Sequence, residues 1–541
     1  MLQLAPHLFD LLHHQGVQHA FGIPGDFALT LYDALAESDI APIVMTHEPS
    51  AGFAADAYSR IRGLGLAVVT YGVGGLNMVN PVAGAYAEKS PLVVVSGGPG
   101  VQERQERELL HHKVKTFDSQ RRIFEEVTVY ATTLDDPATA DAEMRRAIDY
   151  ALTYKRPVYL EIPRDMVYAS IEPVTSVPLP VGRTDSDTLA EALEETLTML
   201  RGATSPMLMV GVEVHRFGLQ AKVVELAEKL GVPVCATMLG KSAFPEGHRQ
   251  YIGIYNGEVG NADVAAAVES SDCLIMLGTF MSDINLGLYS AHLDSAKVVL
   301  VTSEEIAIKH HKYSPVRLAD FMQALTYSPH LPHYDASNIV KRTPRVMPSW
   351  SDLSMGGVIY ELNQFIDRDT IVVTDAGDVI FAADDIWMKD GTSFLSPAFY
   401  ASMGFGLPGM IGAQLADPFR RTIALVGDGA FHMTGMELLT ASRLGLNTIV
   451  IVINNGSYAS LRMMGHQSAD FVNIPTMNYA QFAELMGGRG FVIETGEQLR
   501  RAFAESLSSD RFCLFDVHLP ANNLSPASER VASLFAQTLK G

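Results

Sequence analysis

Two short motifs in the last third of the sequence place oxygen ligands at the ends of consecutive predicted strands. Gly427-Asp428-Gly429 follows the apolar run Thr422–Val426, and Asn454-Asn455 follows Thr448–Ile453. A carboxylate and a carboxamide are hard oxygen ligands, which suit an octahedral Mg²⁺ that bridges to a diphosphate. The glycines allow a sharp turn, and the helix predicted over Thr434–Leu444 would direct free N–H groups towards a phosphate. The pattern therefore predicts a metal–diphosphate site on a strand–turn–helix–strand unit, and two ordinary turns without a ligand are the alternative.

These motifs and their spacing resemble the signature of thiamine-diphosphate (ThDP) enzymes, in which Gly-Asp-Gly precedes Asn-Asn by about two dozen residues. In this chain the gap runs from Ala430 to Ile453. The resemblance implies ThDP and Mg²⁺ as cofactors. It also implies two sets of contacts: the metal would be held by Asp428, Asn455 and the carbonyl of Ser457, and the diphosphate would face Gly429 and Ala430.

Composition excludes several classes of protein. The 541 residues are too many for one hydrophobic core, so about two to four domains are expected. The net charge of −21 argues against nucleic acid and anionic membranes as partners. Cys235, Cys273 and Cys513 lack metal-binding spacing and are typical of reduced core residues in a cytoplasmic protein. No uncharged apolar stretch is long enough to span a membrane, so we expect a soluble, cytoplasmic protein.

Helical and strand patterns alternate along the chain, which predicts an α/β fold of three doubly wound domains with mainly parallel sheets. We expect the domains at 1–172, 185–330 and 351–541. Their predicted strands are His19–Ile23, Ile43–Thr46, Leu64–Tyr71, Leu92–Ser96 and Pro157–Ile162; then Met207–Val210, Val232–Ala236, Cys273–Leu277 and Lys297–Val301; then Thr370–Thr374, Thr422–Val426, Thr448–Ile453 and Cys513–His518. Their order resembles the pyrimidine-binding, middle and diphosphate-binding domains of the pyruvate-decarboxylase branch of the family, over essentially the whole chain.

Glu48 is the candidate for the carboxylic acid that ThDP enzymes place against the pyrimidine ring. This acid lets the cofactor deprotonate its own reactive carbon, and it has to be shielded from water. Glu48 follows the predicted strand Ile43–Thr46 and precedes an apolar helix predicted over Ala51–Tyr58. A glutamate favoured by the dipole at the start of that helix is the simpler alternative. Together with the motifs around Asp428, the position favours the catalytic interpretation.

Two further segments of the third domain resemble cofactor contacts of the family. In Tyr400–Gly406, Met403 resembles the bulky residue that keeps ThDP bent, and the Ala401 carbonyl would accept a hydrogen bond from the cofactor's amine. A flexible core methionine is the alternative for Met403. Gly377 and Asp378 follow the predicted strand Thr370–Thr374, so we expect them to line the diphosphate.

His111-His112 and Gly25-Asp26-Phe27 resemble paired motifs of the 2-oxo-acid decarboxylases. Outside that family, adjacent histidines are more often a surface or capping pair. The resemblance implies that Asp26 and His112 relay a proton to the intermediate left after CO₂ departs, and that His111 orients its neighbours. Thr70, near the end of the predicted strand Leu64–Tyr71, is assigned to the substrate pocket.

Leu461 departs from the pyruvate decarboxylases, which carry a glutamate at the corresponding place after Asn-Asn. An apolar side chain there favours an aromatic substrate, and the bacterial phenylpyruvate and indolepyruvate decarboxylases show the same replacement. They also resemble this chain in Leu277–Asn285, where Asp283 is the candidate for a substitute acid. A loop aspartate that caps a helix is the alternative for Asp283.

The sequence thus predicts non-oxidative decarboxylation of a 2-oxo acid, with phenylpyruvate or indole-3-pyruvate as the expected type of substrate. Decarboxylation of pyruvate or a branched-chain 2-oxo acid, carboligation, and a catalytically silent ThDP-binding regulatory protein are the alternatives. Glu48 and the metal motifs belong to different domains, and in this family those domains meet across a subunit interface. The resemblance therefore implies self-association to a homodimer or homotetramer.

Overall fold

The computed structural model of the chain describes residues 2–105, 109–175, 177, 184–339, 353–464 and 469–538. Three β-sheets follow one another along the sequence, and their strands fall inside the three predicted domains. The ends of the predicted domains at residues 1, 351–352 and 539–541 lie outside the described residues. The predicted three-domain α/β architecture is confirmed, whereas the domain boundaries stay predictions.

The first domain is built on one parallel sheet covered by helices. Its strands are β1 (His19–Gly22), β2 (Ala41–Val44), β3 (Gly65–Val69), β4 (Leu92–Gly98), β5 (Tyr130–Thr133) and β6 (Val158–Pro163). Its helices are α1 (Leu4–His14), α2 (Leu29–Ala36), α3 (Glu48–Arg62), α4 (Val73–Asn77), α5 (Val79–Ala87), α6 (Ser119–Glu125) and α7 (Ala140–Tyr154). The strand order is β2-β1-β3-β4-β6-β5. Strands β3, β4 and β6 are buried along their whole length, as is typical of parallel strands with both faces covered.

The second domain carries a mixed sheet. Its strands are β7 (Pro206–Val210), β8 (Val234–Ala236), β9 (Tyr251–Ile254), β10 (Cys273–Leu277), β11 (Val298–Val301), β12 (Ile306–Ile308) and β13 (His311–Tyr313). Its helices are α8 (Ser186–Gly202), α9 (Val212–Arg216), α10 (Gln220–Leu230), α11 (Ala262–Glu269) and α12 (Leu318–Thr326). The order is β13-β12-β11-β10-β7-β8-β9, and β12 and β13 extend the parallel part as an antiparallel edge.

The third domain again has a parallel sheet. Its strands are β14 (Thr370–Thr374), β15 (Ser393–Leu395), β16 (Arg421–Gly427), β17 (Ile449–Asn454), β18 (Arg489–Ile493) and β19 (Cys513–His518). Its helices are α13 (Met355–Phe365), α14 (Asp378–Ala382), α15 (Gly406–Ala416), α16 (Asp428–Thr434), α17 (Glu437–Arg443), α18 (Ala459–Met463), α19 (Tyr479–Leu485), α20 (Gly496–Ser506) and α21 (Pro526–Thr538). The order is β15-β14-β16-β17-β19-β18. Because β16 and β17 are neighbours with Gly427 opposite Ile453, the two predicted ligand motifs leave the sheet side by side.

The structure differs from the sequence prediction in the helices that follow β16 and in six short strands. The helix predicted over Thr434–Leu444 corresponds to α17, and an unpredicted helix, α16, precedes it and begins at Asp428. The two helices are separated at Gly435 and Met436. A Cβ on Gly435 would lie 2.6 Å from the ring of Phe431. The short strands β5, β9, β12, β13, β15 and β18 were not predicted, because strands of three to five residues with partly polar sequences give little periodic signal.

The first and third domains share a hydrophobic core. Helix α3 packs against α15, and a Cβ on Gly412 of α15 would lie 2.0 Å from the carbonyl oxygen of Ala54 in α3. Only glycine permits helices to approach so closely at that point. Glu437 of α17 adds polar contacts by accepting hydrogen bonds from the N–H of Thr46 at 3.1 Å and from its hydroxyl at 2.6 Å. The helix that begins with Glu48 is therefore fixed against the third domain.

Cys235, Cys273 and Cys513 are buried and unpaired, as the sequence predicts for reduced core cysteines. Burial raises the pKa of the Cys273 thiol to about 12, which keeps it protonated and unreactive near neutral pH. Among the helices in the described ranges, none combines the length and the apolar character needed to cross a bilayer.

Candidate active site

Asp428 connects the two predicted ligand motifs. It is the first residue of α16 and is buried at the carboxyl end of β16. Its Oδ2 accepts hydrogen bonds from the N–H groups of Asn455 at 3.1 Å and Gly456 at 2.7 Å, and its Oδ1 accepts one from Gly429 at 2.9 Å. Burial raises the pKa of Asp428, although these three backbone donors oppose the shift. One carboxylate thus holds the turn after β16 against the turn after β17.

The two asparagines after β17 have different partners. Asn454 is buried and donates from Nδ2 to Asp516 Oδ1 on β19 at 2.8 Å. Asn455 Oδ1 instead accepts a hydrogen bond from the N–H of Ser457 at 3.1 Å. Asn454 therefore secures the strand, whereas Asn455 stays in the turn beside Asp428.

The oxygen atoms of this turn fit a divalent cation. Asp428, Asn455 and Ser457 offer a carboxylate, a carboxamide and a backbone carbonyl, which are the ligand types that Mg²⁺ prefers. The partners described for the buried Asp428 carboxylate are backbone N–H groups, so a cation would provide the opposite charge. Gly429 is required by packing inside the protein, since a Cβ there would lie 2.5 Å from the Tyr458 ring. The residues present fit a metal–diphosphate group.

The loop that carries Ala401 and Met403 is held by an aspartate that the sequence analysis missed. Asp375, directly after β14, accepts hydrogen bonds from the N–H groups of Gly404 at 3.0 Å and Gly406 at 2.6 Å. Burial raises the pKa of Asp375 to about 6, although the hydrogen bonds from the backbone N–H groups act to lower it. Asp375 directly follows an apolar strand, as Asp428 does, and this shared position could have identified Asp375 as a candidate site residue from the sequence. Ala401 has φ +56°, in the left-handed region that a residue with a Cβ rarely adopts.

Gly377 directly precedes α14 and Asp378 is the first residue of that helix, close to α18. Gly377 has φ +109°, and a Cβ there would lie 4.0 Å from Ser460 Oγ, next to Leu461. The carboxylate of Asp378 is buried and accepts hydrogen bonds from the hydroxyl groups of Ser525, at 2.8 Å, and Ser528. This carboxylate holds the start of α21, so only the backbone of Asp378 is left to face a diphosphate, and that role stays a prediction.

In the first domain, Asp26, His111 and His112 come together as predicted from their motifs. A hydrogen bond joins His111 Nε2 to Asp26 Oδ2, and His112 Nδ1 lies 3.9 Å from Asp26 Oδ1. Burial alone would raise the pKa of Asp26, but the hydrogen bond and charge of His111 lower it. The ring of Phe27 stacks on His111 at 4.8 Å between centroids. The arrangement favours a carboxylate on Asp26 with two imidazoles beside it.

Glu48 and Thr70 lie in the same part of the first domain as this cluster. A Cβ on Gly74 would lie 3.0 Å from Thr70 Cγ2 and 3.5 Å from Glu48 Oε1, and a Cβ on Gly25 would lie 2.6 Å from Thr70 Cβ. Glu48 is partly buried at the start of α3, and Asn77 donates to its Oε2 at 3.2 Å. The hydroxyl of Thr70 and Nδ1 of His112 are buried without a hydrogen-bond partner in the described part of the chain. Such unpaired polar atoms fit a surface that a ligand completes.

Asp283 stands apart from both groups in its described contacts. Its Oδ1 accepts a hydrogen bond from the N–H of Ile284 at 2.9 Å, the local contact expected of a loop aspartate. With Lys89, Arg156 and Phe399 it lines a cavity of about 790 Å³ where the three domains approach one another. Its catalytic role therefore stays a prediction.

Glu48 in the first domain and Asp428 in the third domain have separate hydrogen-bond and ion-pair partners. The partners described for Glu48 belong to the first domain, and those described for Asp428 belong to the third. In the described parts of the chain, no hydrogen bond or ion pair joins Glu48 to Asp428 or to the turn after β17. This separation is compatible with a site that two subunits complete.

Three family models match the chain in order. They are described as the N-terminal TPP binding domain, the central domain and the C-terminal TPP binding domain of thiamine pyrophosphate enzymes, and they match residues 2–121, 193–325 and 375–517. The last match includes both ligand motifs around Asp428 and Asn455. The first includes Asp26, Glu48 and His111.

Several proteins are similar over most of their length. The chain is 41% identical to an indole-3-pyruvate decarboxylase of Azospirillum brasilense, a match that covers 98% of this chain and 97% of the relative. It is 30% identical to pyruvate decarboxylase 3 of Arabidopsis thaliana, which covers 84% of this chain and 79% of the relative. It is also 30% identical to an alpha-keto-acid decarboxylase of Mycolicibacterium paratuberculosis, which covers 95% of this chain and 93% of the relative.

Proposed function

The chain belongs to the thiamine-diphosphate-dependent 2-oxo-acid decarboxylases, and from this premise we propose that its substrate is an aromatic 2-oxo acid such as phenylpyruvate or indole-3-pyruvate. It is a carboxy-lyase that uses thiamine diphosphate with a divalent metal, typically Mg²⁺. The products of the proposed reaction are CO₂ and the corresponding aldehyde.

The similarity to an indole-3-pyruvate decarboxylase along nearly the whole chain supports an aromatic substrate. The main observation behind this proposal is the apolar side chain of Leu461. Leu461 is 43% exposed on α18, beside Ser460, which faces Gly377. An apolar side chain at that place favours an aryl group, whereas a glutamate would leave a charge to be solvated.

We infer that the third domain binds the cofactor's phosphates. Asp428, Asn455 and the carbonyl of Ser457 would hold the metal, and Gly429 and Ala430 would face the diphosphate together with the backbone at Gly377 and Asp378. When bound, ThDP would supply a nucleophilic carbon that adds to the 2-oxo group and a thiazolium ring that takes up the electrons released as CO₂ leaves. Ala401 and Met403 would fix the orientation of its rings.

The first domain would handle protons. Glu48 would contact the pyrimidine ring of the cofactor, and the hydrogen bond that Asn77 donates to its Oε2 would fix the orientation of the side chain. The lowered pKa of Asp26 keeps it a carboxylate that orients His111 and attracts the proton of a protonated His112. His112 would donate the proton of its other ring nitrogen, Nε2, to the reacting carbon, while Asp26 stabilises the imidazolium on the Nδ1 side. The unpaired hydroxyl of Thr70 would contact the substrate. Asp283 is a second candidate acid.

We also propose that the chain forms a homodimer or homotetramer in which Glu48 of one subunit meets Asp428 of another. The separate neighbours of these two residues support this arrangement. A cytoplasmic location is proposed from the three unpaired, buried cysteines.

A panel of 2-oxo acids tests the substrate. With added ThDP and Mg²⁺, kcat/KM for phenylpyruvate or indole-3-pyruvate should exceed that for pyruvate and for 2-oxoisocaproate by at least about tenfold, which is the discrimination a complementary apolar pocket provides. A preference for pyruvate or for the branched-chain acid would contradict the aromatic assignment. Cofactor binding without release of CO₂ from any of them would contradict decarboxylation itself.

A further inference from the structure

Asp26, His111 and His112 bring three metal-ligating atoms together in the first domain. Each residue offers one ligand atom, a carboxylate oxygen or an imidazole nitrogen, and these atoms all lie within 4.8 Å of one another. Among the residues that the structure describes, this is the only group of three or more histidine, cysteine or acidic side chains with that property. All three side chains are partly exposed, so an ion can reach them from solvent.

The spacing of these atoms is close to what a small divalent ion requires. Zn²⁺ binds nitrogen and oxygen at about 2.0–2.2 Å, which places two neighbouring ligands of a tetrahedral site about 3.3 Å apart. His112 Nδ1 lies 3.9 Å from Asp26 Oδ1, and a hydrogen bond already joins His111 Nε2 to Asp26 Oδ2. Small rotations of the exposed side chains of Asp26 and His111 therefore suffice for one ion to replace the proton of this hydrogen bond, which leaves to solvent.

The surrounding fold holds both imidazole rings in place. The ring of Phe27 stacks on His111 at 4.8 Å between centroids and meets His112 edge-on at 5.8 Å. His112 has φ +65°, and its backbone packs against Gly72, where a Cβ would lie 2.5 Å from the His112 carbonyl oxygen. Nδ1 of His112 is buried and has no hydrogen-bond partner in the described part of the chain. In the tautomer that carries its proton on Nε2, this nitrogen offers a free lone pair.

The ligand set differs from that of the metal–diphosphate site in the third domain. Two imidazole nitrogens and one carboxylate suit Zn²⁺, Co²⁺ or Ni²⁺, whereas Mg²⁺ prefers the oxygen ligands around Asp428. Three protein ligands also leave a coordination position open for water, as in catalytic zinc sites. The two clusters therefore select different cations.

We propose that Asp26, His111 and His112 form a second cation site, which takes up a transition metal such as Zn²⁺ and inhibits the enzyme when filled. Binding follows from the geometry of the three side chains, whereas inhibition rests on the proton-handling role proposed for Asp26 and His112. A metal held by the carboxylate of Asp26 and by Nδ1 of His112 stands between these two groups. Asp26 then no longer stabilises the imidazolium, so His112 stops acting as a proton donor.

A second pair of adjacent histidines, His310 and His311, provides a matched control. His311 on β13 is exposed and pairs through Nδ1 with Glu195 Oε2 at 2.8 Å, much as in the first domain. The other oxygen of this carboxylate, Oε1, lies 3.7 Å from Lys309 Nζ, which is a competing positive charge. The pair belongs to no group of three metal ligands within the described ranges. His311→Gln therefore removes an imidazole–carboxylate pair without touching the proposed metal site.

Calorimetric titration of the full-length protein with Zn²⁺, in the presence of saturating Mg²⁺ and ThDP, tests binding. The wild type should bind one Zn²⁺ per chain. Loss of a ligand should weaken this binding by at least about tenfold in His111→Gln and in Asp26→Asn, since even substitutions around metal ligands cost about 10–100-fold in affinity. Asp428→Asn and His311→Gln should stay within about threefold of the wild type. If one of the two ligand variants does not fold, the other decides.

Steady-state kinetics test inhibition. Saturating Zn²⁺ should lower kcat of the wild type and of His311→Gln by at least about 100-fold, the lower end of what general acid–base catalysis contributes. The Kd of ThDP should change by less than about threefold, and a chelator added with excess Mg²⁺ should restore the activity.

Four outcomes separate the parts of this proposal. Equal Zn²⁺ affinity in the wild type, His111→Gln and Asp26→Asn would overturn the site. Loss of binding in Asp428→Asn alone would also overturn it, because it would place Zn²⁺ in the third domain. Zn²⁺ binding that depends on His111 but leaves kcat unchanged would overturn the inhibition. Binding of this kind in a protein that releases no CO₂ from any 2-oxo acid would refute the proposed function and support the metal site.

Discussion

Replacing Gly25 by alanine should disable the proton-handling side of the site while the protein stays folded. A Cβ at this position would lie 2.6 Å from both Cβ and Cγ2 of Thr70 and 2.9 Å from its Oγ1. Carbon atoms in contact are normally about 3.5–4.0 Å apart, so the two segments would have to separate by about 1 Å. Thr70 is β-branched and close to the backbone, so it has little freedom to rotate away.

This displacement would move two predicted site residues. Gly25 precedes Asp26, and Thr70 also contacts the Gly74 region beside Glu48. A shift of about 1 Å at such a place lowers kcat by about 100-fold, and overpacking of this kind costs about 1–3 kcal/mol of stability. We therefore expect Gly25→Ala to lose most of its kcat with a melting temperature only a few degrees lower.

Steady-state kinetics and thermal unfolding of the same preparation check this prediction. Gly202→Ala is the control, because a Cβ at Gly202 meets no atom within 4 Å and its backbone does not require glycine. That variant should keep the kinetics of the wild type. If Gly25→Ala keeps more than about half of the wild-type kcat, the reasoning that links this contact to the geometry of Asp26 is refuted.

Three further predictions concern other parts of the chain. Glu48→Gln should lower kcat by at least about 100-fold, since the amide cannot hold the required proton; turnover near the wild-type rate would contradict its assignment. Leu461→Glu should shift kcat/KM towards pyruvate and away from arylpyruvates by about tenfold, and unchanged selectivity in the substrate panel would remove Leu461 from the pocket. Asp384 has buried carboxylate oxygens without a hydrogen-bond partner in the described residues, and burial raises its pKa from 3.8 to about 7. The folded state therefore holds this proton more tightly and loses about 4 kcal/mol of stability as pH rises from about 4 to 7. Asp384→Asn should melt higher than the wild type at pH 8 with a much smaller difference at pH 5, and an equal difference at both pH values would contradict this.

The sequence predicted what depends on local pattern. Apolar runs that end in polar residues located β14, β16 and β17, and the side-by-side exit of β16 and β17 placed Asp428 next to Asn455. The motifs with Asp26 and the two histidines also predicted a contact that the folded chain makes.

Residues whose role comes from distant partners were not predictable in this way. Glu88 looks like an ordinary end of helix α5, yet it is buried and accepts a hydrogen bond from the N–H of Phe399, 311 positions later in the chain. Asp378 has the same sequence context as a ligand, yet Ser525 and Ser528 bind its carboxylate. No local periodicity encodes such pairings, because they depend on how domains pack.

Complementation between two inactive variants tests most directly whether the first and third domains form one active site across subunits. Glu48→Gln and Asp428→Asn would be co-expressed with different affinity tags, and dimers that carry one chain of each would be isolated. A shared site predicts that one of the two sites has both substitutions and the other has neither, so about half of the wild-type activity should return. Heterodimers as inactive as either parent would show that Glu48 and Asp428 serve a site within one chain, and would contradict the account.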